Sequence, residues 1–271
     1  MLSVAMIGCD ESHCIAQALR SVVPYADEVV FMDTGSRDAT PEIANSFGAK
    51  VFHAVWEDDF SIARNAALDR CTGDWVLSID CDEAISPNPE TKSFFKSLNA
   101  ARDDIAFVVN IRNYLSDGKL EAHSNIRLFR KLKEIQFTNP IHESVSSSIY
   151  EFAPDKPLDI AKFDINHFGY QSIQRNKEKL LRNLRIMARW VETDANDPFA
   201  WYKFGLSLRS VSPDRGAACL FKAYELLVSR TDLKTHPYRF DLVRQLIDDL
   251  NVVNPRLSTI VRECSHELVA E

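Results

Sequence analysis

The hydrophobic positions of residues 1–80 form short apolar runs that alternate with amphipathic stretches. Short apolar runs are typical of buried strands, and apolar residues about three to four positions apart predict helices. The alternation of the two signals predicts a mostly parallel sheet with right-handed crossovers, as in an α/β domain. The predicted strands are 2–7, 28–32, 50–54 and 75–79, and the predicted helices are 15–23, 41–47 and 61–71.

Capping residues mark the ends of two of these helices. Thr40 is expected to cap the second helix, with Pro41 at its first position and Gly48 just past its end. Ser61 is expected to cap the third helix, which ends near Gly73.

The pattern changes after Pro87, and again near residue 170. A helix is predicted at 91–101, followed by strands at 105–111, 125–130, 143–149 and 158–165. Beyond residue 170 the strand signals stop and apolar positions follow a helical stripe. The sequence therefore predicts an α/β domain at 1–170 and an all-helical extension at 171–271.

Part of the extension keeps the spacing of a tetratricopeptide helix pair, in which large residues pack against a small residue on the next helix. One clear copy is visible, and Tyr224 stands where the repeat prefers alanine. Because a free-standing solenoid needs about three copies, we expect a tetratricopeptide-like appendage. The residues with this spacing are Trp201, Phe204, Gly205, Leu208, Ala217 and Phe221.

Charge and apolar content narrow the classes of partner. The 271 residues carry 32 basic and 39 acidic side chains, a formal charge of -7, so nucleic acid is not expected as a partner. No apolar run approaches the roughly 18 residues of a membrane-spanning helix, and the opening residues lack a basic secretion signal.

The basic stretch 175–189 is either a solvated helix face or a contact for anionic lipid. We expect a cytoplasmic protein, with peripheral contact with the inner face of the membrane left open and its oligomeric state unassigned.

The chemistry-bearing residues follow the predicted strands. Asp33 ends the second strand, and Asp80, Asp82 and Glu83 follow the fourth. In an open α/β sheet the ligand crevice lies beyond the carboxyl ends of the strands. Three carboxylates within four residues repel one another unless a cation, a proton or solvent relieves them. A hard divalent metal with substrate phosphate oxygens is one solution, and a solvated turn is the other.

Four ordered motifs give these residues a context: FMDTGSRDAT at 31–40, WEDDFSIARNAAL at 56–68, GDWVLSIDCDE at 73–83 and IHE at 141–143. Together they resemble family 2 glycosyltransferases, in particular bacterial-type members with a tetratricopeptide-like tail. The resemblance implies the GT-A fold, a Rossmann-like mixed sheet that binds a nucleotide sugar, followed by a helical extension. It also implies an inverting transfer of a sugar, with a UDP-hexose as the expected donor, to a glycan, lipid-linked glycan or peptide acceptor.

The resemblance also assigns roles on the donor side. Asp33 and Glu11 are expected to contact the base or ribose of the nucleotide. Arg64 and Asn65, at the start of a helix directed at the crevice, are expected to contact nucleotide or phosphate. For Arg64 a surface ion pair with Asp58 or Asp59 is the alternative.

Asp80 and Asp82 correspond to the D-x-D pair that holds Mn²⁺ or Mg²⁺. Asp82 is the expected direct ligand, and Asp80 is expected to engage both metal and ribose. His142 is expected to complete the metal shell, with His167 as its rival. Arg127 is expected to face the diphosphate.

The acceptor hydroxyl needs a base, and the leaving diphosphate needs its charge neutralised by the metal. Glu143 is the candidate base, and a structural carboxylate that holds a loop is the alternative. One departure concerns the loop after the first strand, where relatives often have Lys-Asn-Glu and this chain has Cys9-Asp10-Glu11. One basic group near the nucleotide is therefore missing.

Two other classes of protein fit parts of the pattern. A sugar-phosphate nucleotidyltransferase shares the sheet and the acidic metal site, but its first strand leads into a glycine-rich basic loop that 8–12 lacks. A catalytically inactive fold of the same type, serving as a helical interaction module, stays open. Binding without turnover would distinguish it from an enzyme.

Overall fold

The computed structural model describes residues 1–100, 103–115, 117–169, 173–230, 238–265 and 268. The chain divides into two compact units, 1–176 and 177–271. The first contains a mixed sheet flanked by helices, and the second is helical in its described residues. The prediction of an α/β fold followed by a helical region is thereby confirmed. The boundary predicted after residue 170 falls at 170–172, outside the described residues.

One sheet of eight strands runs through the described part of the first unit. Its order is β3-β2-β1-β4-β7-β6-β8-β5, in which β3, β2, β1 and β4 are parallel neighbours. The pairs β4–β7, β6–β7 and β5–β8 are antiparallel, and β6–β8 is parallel. The strands are β1 (Leu2–Gly8), β2 (Glu28–Asp33), β3 (Lys50–His53), β4 (Trp75–Ser78), β5 (Glu83–Pro87), β6 (Ala106–Tyr114), β7 (Leu120–Arg130) and β8 (Asp159–His167).

Helices cover both faces of this sheet, because successive side chains of a strand point to opposite faces. In β1, Val4 and Met6 belong to one apolar core, and Ala5 and Ile7 belong to the other. The first core also contains residues of α1, α2 and α4, and the second contains residues of α3 and α5. These helices are α1 (Ile15–Val22), α2 (Thr40–Ser46), α3 (Phe60–Arg70), α4 (Thr91–Ser97) and α5 (Ser146–Phe152).

Apolar residues of the helices at 198–208, 213–228, 239–253 and 255–264 form a third core. Close packing of α7 and α8 depends on Gly205, since a Cβ atom there would lie 2.8 Å from the Leu220 side chain. No described helix is both long enough and apolar enough to cross a membrane. The helices are α6 (Ile173–Thr193), α7 (Pro198–Leu208), α8 (Pro213–Val228), α9 (Arg239–Val253) and α10 (Pro255–Cys264).

Four local predictions differ from the structure. Thr40 was expected to cap α2, but it is the first residue of that helix, whose N-cap Ala39 has no side-chain cap hydrogen bond. The strand predicted at 143–149 is largely replaced by α5. Val145, just before this helix, and Ile149, within it, are buried one helical turn apart. The short strand β5 was not predicted. Asp59 rather than Ser61 caps α3, because its carboxylate accepts the backbone N–H of Ile62.

Candidate active site

The loops that follow β1, β2 and β4 lie at the same edge of the sheet. Gly8 pairs with Asp33 at the ends of β1 and β2, and the backbone N–H of Thr34 donates to the Gly8 carbonyl. Next to them the backbone N–H of Ile79, just past β4, donates to the Ala5 carbonyl of β1. The acidic residues predicted at these strand ends are therefore brought to one edge.

A buried arginine joins this edge to a distant loop. Arg64, on the first turns of α3, donates from Nη2 to Asp80 Oδ1 at 2.6 Å and from Nε to Glu143 Oε1 at 2.6 Å. Its Nη1 also donates to Ser78 Oγ at 3.2 Å. The rigid fork of guanidinium donors suits several acceptors at once. With its side chain only 8% exposed, Arg64 forms a buried network, and the alternative of a surface ion pair was wrong.

The loop that carries Glu143 is fixed at both ends. Thr138 and Ser144 form an isolated antiparallel bridge, and the Pro140 carbonyl accepts the backbone N–H of Phe60 at the start of α3. These bonds hold Glu143 beside Arg64, although 79 residues separate the two in sequence.

Arg127, on β7, is the second cation of the network. Its Nη2 lies 2.9 Å from Glu83 Oε1 and 3.5 Å from Asp80 Oδ2. Its Nε is buried without a hydrogen-bond partner among the described residues. Glu83, which was not singled out as a site residue, also accepts the backbone N–H of Asp80. Its place as the last carboxylate of the acidic cluster is the signal that pointed to it.

The network sets the charge state of its members. Burial alone would raise the pKa of Asp80, but Arg64 and Arg127 hold that pKa well below its usual range. Burial raises the pKa of Glu83 in spite of the neighbouring Arg127. Asp80 is therefore an ionised counter-ion of both arginines, and its oxygens face guanidinium groups.

Asp82 has a different neighbour, His167 at the end of β8. His167 Nε2 lies 3.5 Å from Asp82 Oδ1, and its Nδ1 lies 2.8 Å from Asn113 Oδ1. An amide oxygen can only accept, so Nδ1 carries the hydrogen and Nε2 is the nitrogen that faces Asp82. Burial lowers the pKa of His167, but the Asp82 carboxylate outweighs it and raises that pKa.

The backbone at Gly169 lies directly against this pair. A Cβ atom at Gly169 would lie 2.2 Å from Asp82 Oδ2 and 2.7 Å from His167 Nε2, so only glycine permits this close approach. One carboxylate and one imidazole provide an oxygen and a nitrogen ligand for a divalent cation such as Mn²⁺. Asp82 and His167 therefore fit a divalent cation.

His142 is exposed, with a positive φ of 55°, and immediately precedes Glu143. The structure brings His167 beside Asp82. The metal role of His142 stays a prediction.

Asp33 and Asn65 are both engaged with backbone. The buried Asp33 carboxylate accepts the backbone N–H groups of Gly35 and Ser36, a turn that Gly35 permits with φ of +113°. Asn65 donates to the Phe137 carbonyl and accepts the Phe137 N–H. The structure therefore directs the Asn65 amide to the segment before Glu143.

Glu11 is half-buried in the loop after β1, where its backbone N–H donates to Thr40 Oγ1.

Fold and site together define an α/β protein whose strand-end carboxylates and arginines suit a metal ion and phosphate groups. Residues 3–159 match the model of glycosyl transferase family 2. The chain belongs to this family.

Three comparisons illustrate the range of similarity. A TPR repeat-containing protein of Synechococcus elongatus is 34% identical over 209 residues, 75% of this chain and 51% of that one. The glycosyltransferase SunS of Bacillus subtilis is 24% identical over 221 residues, 80% of this chain and 51% of that one. The chain thus spans about half the length of these relatives. A crystal structure of S. aureus TarS 1-349 in complex with UDP-GlcNAc matches with a TM-score of 0.49 and 16% identity, over 92% of this chain and 81% of that one.

Proposed function

We propose that the chain is a metal-dependent glycosyltransferase. It moves the hexose of a UDP-hexose donor to a glycan, lipid-linked glycan or peptide acceptor. Membership of family 2 supports the reaction class. The observation that carries the metal-dependent part is the pair of Asp82 and His167, whose Oδ1 and Nε2 atoms lie 3.5 Å apart. In the proposal the reaction takes place in the cytoplasm, and the tetratricopeptide-like tail takes part in the choice of acceptor.

On the donor side, Asp82 and His167 would hold Mn²⁺ or Mg²⁺, with Asp80 next to them. The cation supplies Lewis acidity that neutralises the charge of the leaving nucleoside diphosphate. Arg127 lies beside Asp80 and Glu83, and its Nε, which lacks a hydrogen-bond partner among the described residues, would donate to a diphosphate oxygen. Asp33 and Glu11 orient the nucleotide.

On the acceptor side, Glu143 takes the proton of the attacking hydroxyl. Its Oε1 is held by Arg64, so the proton is received at Oε2. The acceptor oxygen forms a bond with the anomeric carbon, the bond from that carbon to the diphosphate oxygen breaks, and the electron pair leaves with the diphosphate. A single in-line displacement of this kind inverts the anomeric configuration.

The test is the thermal stability of the protein with UDP, GDP and CDP, each with and without Mn²⁺. A ligand that binds the folded state at about 100 times its Kd adds about 2.7 kcal/mol to the free energy of unfolding. We expect stabilisation by UDP with Mn²⁺, and its loss in Asp82→Asn. The matched control is Asp69→Asn, which changes an exposed aspartate of α3 and should keep the full response.

Three outcomes separate the possibilities. Equal stabilisation by UDP in Asp82→Asn would contradict the metal site. Stabilisation by UDP without sugar transfer to any acceptor, and without release of UDP from UDP-hexose, would identify the catalytically inactive interaction module. A response to GDP or CDP alone would keep the reaction class and change the donor.

A further inference from the structure

A second group of metal-ligating side chains lies in the loop after β1, apart from Asp82 and His167. Glu11, His13 and Cys14 place one carboxylate oxygen, one imidazole nitrogen and one sulfur within 4.8 Å of one another. Cys14 Sγ lies 3.3 Å from Glu11 Oε2, and His13 Nε2 lies 3.7 Å from the same oxygen.

Two of the three distances are close to those between ligands of one small cation. Zinc bonds are about 2.3 Å to sulfur and about 2.0 Å to nitrogen or oxygen, so tetrahedral ligands lie roughly 3.3–3.5 Å apart. The distances from Glu11 Oε2 to Cys14 Sγ and His13 Nε2 are 3.3 and 3.7 Å. The third distance, between Cys14 and His13, is within 4.8 Å.

The loop that carries the three residues is held from the neighbouring loop. The backbone N–H groups of Asp10, Glu11 and Ser12 donate to side chains between Ser36 and Thr40. In return, Asp10 Oδ1 accepts the backbone N–H of a residue of that same neighbouring loop, at 2.7 Å. The loop is therefore ordered before any ligand binds, which lowers the entropy cost of binding.

Cys14 is the residue that precedes α1. Its Sγ–H now donates to Glu11 Oε2. When a cation binds, this proton is released to solvent and the sulfur becomes a ligand.

We propose that Glu11, His13 and Cys14 form a Zn²⁺ site, with the fourth position left to water or substrate. A thiolate ligand selects zinc over Mn²⁺ and Mg²⁺, which prefer oxygen ligands. The site is thus distinct in chemistry from Asp82 and His167. If Glu11 also lines the donor pocket, which rests on the proposed function, zinc at this site weakens donor binding.

The test uses the full chain, reduced and freed of metal, titrated with Co²⁺ and then with Zn²⁺. A thiolate bound to Co²⁺ produces a near-ultraviolet charge-transfer band, and Zn²⁺ should abolish it by displacement. We expect the band at one equivalent of Co²⁺. Cys14→Ser should remove it, and His13→Ala should weaken zinc binding at least about tenfold, the loss that even outer-shell changes produce at metal sites.

The controls are Cys9→Ser, in the same loop, and Cys264→Ser, in α10, both at exposed thiols. Both variants should keep the band. His13 is itself exposed, so His13→Ala tests the site without disturbing the core. A band that persists in Cys14→Ser, or that disappears in Cys9→Ser, would overturn the proposed ligand set, as would zinc affinity unchanged in His13→Ala.

The effect on the donor is measured separately, by UDP binding with Mn²⁺ before and after one equivalent of Zn²⁺. Zinc should weaken UDP binding in the wild type and leave it unchanged in His13→Ala. A cobalt band with UDP affinity insensitive to zinc would overturn the coupling to the donor. A cobalt band in a protein that binds no nucleotide would overturn the proposed function while the zinc site stands.

Discussion

Arg64 Nη2 lies 2.6 Å from Asp80 Oδ1, although the two residues are 16 positions apart and belong to different elements. Arg64 comes from α3 and Asp80 from the loop after β4, so the pair ties a helix to the edge of the sheet where the acidic residues gather. Because the same guanidinium also holds Glu143, Arg64 links the proposed metal side of the site to the proposed acceptor side.

Loss of this guanidinium should destabilise the fold. Arg64→Met keeps an unbranched side chain but leaves the carboxylates of Asp80 and Glu143 without their buried partner. Breaking a buried ion pair by removal of one partner costs about 3–5 kcal/mol, and we expect a loss of this size in urea denaturation. In the control Arg70→Met, on the same helix, the guanidinium lies over the Phe52 ring at an exposed position, and the loss should stay below about 1 kcal/mol. Equal losses would contradict the network.

Glu143→Gln should separate a base from a structural counter-ion. The glutamine amide oxygen can still accept the hydrogen bond from Arg64 Nε, but it cannot take a proton from the acceptor. We expect UDP binding with Mn²⁺ to be unchanged and the rate of sugar transfer to fall about 10²–10⁴-fold, the usual contribution of a general base. UDP release from the donor is the measurement. A variant with lower stability and a normal rate would instead identify Glu143 as a counter-ion of Arg64.

The strand-end acids could be predicted from sequence because the rule that places them is local. A strand followed by Asp33, and another followed by Asp80 and Asp82, must meet at one edge once the strands are parallel. The parallel direction of β1–β4 follows from the same alternation of strands and helices, and the register of Gly8 with Asp33 agrees with it.

The rest of the site depends on contacts between residues far apart in sequence. Asn113, His167 and Gly169 meet Asp82 through β6 and β8, whose pairing is not signalled by any local pattern. The position of Glu83 could not be predicted for a related reason, because β5 pairs with β8 alone among the described strands. The pairing of Glu143 with Arg64 likewise spans 79 positions.

Asn113 should act as a positioning residue for His167. Asn113→Leu removes the acceptor of His167 Nδ1, so the imidazole is no longer fixed with Nε2 towards Asp82. Loss of such an outer-shell partner weakens metal binding about 10–100-fold, and a Mn²⁺ titration followed by electron paramagnetic resonance measures it. The control is Asn110→Leu on the same strand, where the amide contacts Asp164, and it should leave Mn²⁺ affinity unchanged. Unchanged affinity in Asn113→Leu would remove Asn113 from the site.

Gly169→Ala tests whether the close approach of the backbone to Asp82 and His167 is needed for metal binding. The added methyl group would overlap Asp82 Oδ2 and His167 Nε2, so both side chains must move. We expect loss of Mn²⁺ binding with the fold retained, as followed by circular dichroism and Mn²⁺ titration.

The control for this variant is Gly48→Ala. Gly48 has open space around its Cβ position but a φ of +81°, so alanine there is strained without crowding any neighbour. A left-handed residue costs about 1–2 kcal/mol, and Gly48→Ala should therefore lower stability while Mn²⁺ affinity stays normal. Normal Mn²⁺ binding in Gly169→Ala would place the metal elsewhere.

Glu28 has no role in the proposed reaction. It should nevertheless make the free energy of unfolding fall at acid pH. Burial alone would raise its pKa, but hydrogen bonds from Lys50, Ser3 and Thr72 lower it from 4.5 to about 2. The resulting stabilisation is fully present above the unfolded pKa of 4.5 and is lost as the pH falls towards 2, because the unfolded chain then binds the proton more readily. At about 1.36 kcal/mol per pKa unit, the contribution is on the order of 3 kcal/mol.

The measurement is urea denaturation of wild type and Glu28→Gln between pH 7 and pH 2. The difference between their free energies of unfolding should shrink below pH 4.5. Glu57→Gln, at an exposed position, should follow the wild type throughout. A difference that stays constant with pH would show that Glu28 is not held ionised by these partners.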